Sequence, residues 1–127
     1  MVTKNKTLIM IPTYNERNNI DFLISKLRKL KNKFDILFID DNSPDGTGHI
    51  LDKMAINNKR INVFHREKKL GIGSAHLHGL DWAYMNKYQR LITLDGDLTH
   101  SPEDIEKFFV KIENFDVVVG SRFIRRN

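Results

Sequence analysis

Short apolar runs alternate with stretches of helical period along the whole chain, and that alternation limits the fold more than any other feature. The runs are Thr7 to Ile11, Phe34 to Ile39, Ile61 to Phe64, Leu91 to Leu94 and Asp116 to Gly120. Each is four to six residues long and continuous rather than alternating, which is the pattern of a strand covered on both faces. Between them, apolar residues recur every three or four positions. Ile20, Leu23, Ile24, Leu27 and Leu30 form the first such set, with Asn18 or Asn19 as N-cap. Ile50, Leu51, Met54 and Ala55 form the second. Leu77, Leu80 and Tyr84 mark the third, and Ile105, Phe108, Phe109 and Ile112 the fourth. Ser101-Pro102-Glu103-Asp104 opens that last helix with a capping serine, a proline and two acids. Pro12 stops the first strand, because proline offers no donor to a ladder. The expectation is an α/β fold: a mostly parallel, Rossmann-like sheet with helices on both faces. With 127 residues, the chain makes one domain.

Composition removes several classes. No apolar run approaches the ~20 residues that span a bilayer. The apolar part of MVTKNKTLIMIP is too short for a signal peptide and runs into the first strand. The chain has no cysteine, which excludes disulfides and thiolate metal sites and fits a reducing, cytoplasmic location. A formal net charge of +5 favours anionic partners such as nucleotides, phospholipid surfaces or nucleic acid, and peripheral contact at the cytoplasmic face of a membrane is among the expectations. No nucleic-acid module is present, and no aromatic residues interleave a basic run.

The strand ends carry the chemistry. The first ends in Pro12, Tyr14, Asn15 and Glu16, the second in Asp40, Asp41 and Asn42, the fourth in Asp95 and Asp97, the fifth in Ser121 and Arg122. In a parallel sheet these lie on one edge, where α/β folds take their ligands. Asp95 and Asp97 flank one glycine. Two adjacent anions are tolerated when a cation joins them, and oxygen ligands suit Mg2+ or Mn2+, which in turn hold phosphate oxygens. A dinucleotide site needs Gly-x-Gly-x-x-Gly after the first strand, and PTYNER is not that. A phospho-acceptor receiver places its acids and lysine elsewhere. A site for a nucleotide sugar, with a polar cradle for the base and a metal for the diphosphate, fits.

IPTYNE, IDDNSPDGT, LDGDL and GSR occur in this order. Together they resemble family 2 glycosyltransferases of the GT-A fold, and within them the polyprenyl-phosphate (dolichyl-phosphate) mannosyltransferases. The resemblance covers Leu8 to Arg126. It implies that Pro12, Tyr14, Glu16, Ile39 and Asp41 line the base and ribose. It implies that Asp95, Gly96 and Asp97 surround the metal and diphosphate, with Thr99 beside them, and that Arg122 approaches the phosphates. Asp95, Asp97 and Arg122 are then the catalytic candidates, with Asp95 and Asp97 on the metal. Members of the family usually carry alanine where this chain has Gly96, and many carry glutamine or serine at the place of Thr99. The family also continues past the GSR motif, so the expectation is a nucleotide-sugar-binding domain, 1–127, incomplete at its C-terminus.

The implied donor is GDP-mannose, with UDP-glucose as rival, and the implied acceptor is a polyprenyl phosphate. A nucleotide-sugar-binding module without turnover is the alternative. Exposed sheet edges leave pairing with another copy open.

Overall fold

The computed structural model describes residues 6–68, 70–96 and 104–112. The expected fifth strand at 116–120, the helix start at 101–103, and Asp97, Thr99, Ser121 and Arg122 lie outside them. Four strands and four helices alternate: β1 (Thr7–Thr13), α1 (Ile20–Leu27), β2 (Asp35–Asp40), α2 (Thr47–Asn57), β3 (Ile61–His65), α3 (Ile72–Met85), β4 (Arg90–Thr93) and α4 (Ile105–Lys111). The strands form one sheet in the order β3-β2-β1-β4, and every pairing is parallel.

Alternation along the strands splits the core in two. Ile9, Ile11, Ile36 and Phe38 face one way, packed with Ile20, Leu23, Ile24 and Leu27 of α1, Leu51 of α2, and Ile105 and Phe109 of α4. Leu8, Met10, Leu37 and Ile39 face the other way, against Ala75, Trp82 and Ala83 of α3. Both faces of β1 and β2 are therefore covered, which is why these strands read as unbroken apolar runs.

Two expectations change. Pro12 does not end β1, which runs on to Thr13 with Pro12 opposite Ile39. The Met10 carbonyl accepts the Leu94 N–H, and by alternation Pro12 turns to that same side. There β4 has already ended at Thr93, so no ladder bond is asked of the proline. The second change is the inward face of α3. Leu77, Leu80 and Tyr84 are exposed, whereas Ala75, Gly79 and Ala83, spaced by four, are buried. A Cβ built at Gly79 would sit 1.8 Å from the Met10 sulfur. Small residues let the helix lie almost on the sheet, and the large ones were left outside.

Candidate active site

The carboxyl ends of the strands bring three connections together: 14–19 after β1, 41–46 after β2 and the one that starts at Arg66 after β3. Side chains bind them to one another. Asp40, the last residue of β2, is buried and accepts hydrogen bonds from the Thr13 hydroxyl (2.9 Å), the Ser43 hydroxyl (2.6 Å) and the Ser43 N–H (3.1 Å). Asp41 is 7% exposed and takes both of its oxygens to Arg66, whose Nε lies at 2.5 Å and Nη2 at 2.6 Å. Arg66, 4% exposed, also donates to the Ser74 hydroxyl (2.8 Å) and to the Gly71 carbonyl (3.3 Å). A bidentate pair of this kind has directional as well as electrostatic strength. The Asn42 amide donates to the Glu67 carbonyl at 3.1 Å, closing the seam between the second and third connections.

Asp45 joins the first two. Burial pushes its carboxyl up, but bonds from the Thr47 side chain and backbone, from the Arg17 N–H, and the Arg17 charge outweigh it and hold the group below its ordinary value. Asn15 and Asn42 both adopt left-handed backbone, at φ 55° and 53°. Asparagine tolerates that region better than most residues. Gly46, at φ 90°, turns the chain into α2.

The rim acids are thus held mainly by the protein itself. Asp40, Asp41 and Asp45 each have protein partners and need no ion to hold them. Asp95 stands half-buried just past the end of β4. Beside it, a Cβ at Gly96 would meet the Pro12 carbonyl at 3.2 Å, Thr13 Cγ2 at 3.3 Å and Glu16 Cγ at 3.4 Å. The turn after β4 therefore rests directly on the end of β1 and the connection that follows it, in a space that glycine leaves. Among the described residues, no group of three or more histidines, aspartates or glutamates is placed to hold a metal.

Of the candidates read from sequence, Pro12, Glu16, Asp41, Asp95 and Gly96 come together on this rim, and the exposed Tyr14 stands on its first connection. Ile39 is buried on the α3 side of the sheet, beneath the rim. Arg66 was missed. The register that sets Asp40 opposite His65 puts Asp41 beside Arg66, so pairing β2 with β3 was the signal that would have found it.

This fold is that of the GT-A glycosyltransferases. A mannosyltransferase from Pyrobaculum calidifontis, PcManGT, solved with GDP-Man and Mn2+, superposes with a TM-score of 0.60 at 18% identity, over 72% of this chain and 27% of that one. S. aureus TarS 1-349 in complex with UDP gives 0.64 at 25% identity, over 84% and 32%. Residues 8–127 match the model of glycosyl transferase family 2, and the chain belongs to that family. It is 37% identical over 121 residues to the polyprenol monophosphomannose synthase of Mycolicibacterium smegmatis, covering 94% of this chain and 46% of that protein. To the undecaprenyl-phosphate mannosyltransferase of Micrococcus luteus it is 36% identical over 117 residues, covering 92% and 48%. The chain spans about half the length of these relatives.

Proposed function

We propose that the chain carries the donor site of a transferase that moves mannose from GDP-mannose to a polyprenyl or dolichyl phosphate. The 37% identity to a polyprenol monophosphomannose synthase over 94% of the chain carries this reading. The rim supports it by gathering Pro12, Glu16, Asp41, Asp95 and Gly96 where a nucleotide diphosphate would lie.

In the reaction, the bond from the anomeric carbon to the donor diphosphate breaks. A bond from that carbon to an acceptor phosphate oxygen forms, and GDP leaves with the electron pair. A lipid phosphate is already ionised near neutral pH and needs no strong base. Pro12, Tyr14, Glu16 and Asp41 line the base and ribose; Ile39, expected beside them, is instead buried against α3 and supports the strand end from below. Asp41 reaches the base while Arg66 fixes its carboxylate plane. Carboxylate oxygens from Asp95 and Asp97 suit Mg2+ or Mn2+, with Thr99 nearby. When bound, the ion neutralises charge on the leaving diphosphate. Arg122 adds a contact to the phosphates.

UDP-glucose is the competing donor, and likeness to TarS with UDP favours keeping it in the test. Titration calorimetry with Mn2+ should show GDP-mannose binding more tightly than UDP-glucose, and Asp97→Ala should abolish it. Unchanged affinity in that variant refutes the metal assignment. Transfer of labelled mannose to a polyprenyl phosphate tests turnover. Binding without transfer supports a nucleotide-sugar-binding module instead.

A further inference from the structure

The connection after β1 is held by side chains from a single neighbouring segment. Three successive backbone N–H groups leave it: Asn15 donates to the Ser43 hydroxyl (3.0 Å), Glu16 to the Thr47 hydroxyl (3.0 Å) and Arg17 to Asp45 Oδ2 (3.1 Å). In return, the Asp45 N–H points to Asn15 Oδ1 at 3.4 Å. Arg17 Nη1 adds a bond to the Asp45 carbonyl at 3.2 Å.

Each hydroxyl both accepts and donates. Thr47 Oγ1 accepts from Glu16 and donates to Asp45 Oδ1 at 2.5 Å, and the residue is wholly buried. Ser43 Oγ accepts from Asn15 and donates to Asp40 Oδ1 at 2.6 Å. A hydroxyl that gives its proton to a carboxylate is a better acceptor for the amide behind it. Their protons are committed to carboxylates inside the protein, so neither hydroxyl has a donor left for a ligand. They fix the path of the chain that carries Tyr14 and Glu16, including the left-handed turn at Asn15.

We propose that Ser43, Asp45 and Thr47 are positioning residues, which mould 13–17 into the shape that accepts the nucleotide. The inference rests on the nucleotide reading above and assigns these residues no contact with the ligand.

Thr47→Val keeps the shape of the side chain and removes both bonds, whereas Thr47→Ser keeps both. GDP binding in the presence of Mn2+ is measured by calorimetry well below each variant's unfolding midpoint. Thr47→Val should weaken it about 10–100-fold, the scale on which supporting contacts act, and Thr47→Ser should restore it to within about threefold. Amide hydrogen exchange at residues 15–17 should accelerate in Thr47→Val and not in Thr47→Ser. Ser43→Ala, at a half-buried position, gives the same two readouts should Thr47→Val fail to fold. Loss of protection at 15–17 with unchanged GDP affinity overturns this inference alone. No GDP binding by the unsubstituted chain overturns the nucleotide reading, and this inference with it.

Discussion

Arg66 and Asp41 form a buried charge pair in which every contact is polar and close. Such a pair adds little net stability compared with apolar residues, but breaking it strands a charge. Arg66→Met should therefore cost about 3–5 kcal/mol, read as a shift in the urea midpoint. A smaller loss would mean that water reaches Asp41. Asp45 contributes in another way. Its carboxyl is held below the ordinary 3.8, so it binds a proton less readily folded than unfolded. The stability it contributes is present above about pH 3.8 and is lost as pH falls through the lower folded value. Asp45→Asn should flatten the acid limb of stability against pH, followed by circular dichroism between pH 5 and 2. At this scale the sequence was legible in part. Paired acids on strand ends are visible as letters, but their partners are not. Asp40 reads like Asp41 or Asp95, yet its carboxylate is taken up by Thr13 and Ser43, contacts that exist only once β1 and β2 are adjacent.

At the scale of elements, α3 is the informative case. Its period was readable, but its inward face was not, because hydrophobicity points to Leu77, Leu80 and Tyr84. Packing distance chose Ala75, Gly79 and Ala83 instead. Gly79→Ala should force Met10 from its rotamer and lower stability by about 1–3 kcal/mol, the range for overfilling a packed core. Thermal unfolding checks this, and Gly79→Ala should cost less when made in a Met10→Ala background than when made alone. The far end of α3 is tied down separately. Tyr88 donates its hydroxyl to Asp35 at 2.5 Å and stacks on Trp82, with Lys6 above the ring. Burial first, then the bond to Asp35 and its charge, push the Tyr88 hydroxyl well above its ordinary range. The strands were easier to read than this helix, since a doubly covered strand must be apolar throughout whatever it packs against.

At the scale of the molecule, basic residues gather at one end of the described sheet. The rim holds Asp40, Asp41, Asp45 and Asp95. The opposite end carries Arg28, Lys29, Lys31 and Lys33 after α1, and Lys59 and Arg60 before β3, with no acid within either stretch. The side chains of these six residues make no ion pair among the described residues. Helix α1 runs between the two ends and exposes Phe22, with Lys26 over its ring. A membrane lying along α1 would meet the basic end and the edge of the rim together. No described helix is long and apolar enough to cross a membrane. Cosedimentation with phosphatidylglycerol vesicles should be strong at low salt, fall steeply by about 0.3 M, and be absent with phosphatidylcholine. Retention on neutral vesicles would contradict it. The strand order has a further consequence for synthesis on the ribosome. β1 is made before both of the strands that pair with it, β2 and β4, and the second of them comes late. Once His65 has emerged, β1 to β3 are all available, but β4 ends only at Thr93. At ordinary elongation rates that gap lasts roughly 1–6 s. For that interval the nascent chain holds a buried strand with one flank uncovered, and it is then that a chaperone would matter most to its yield.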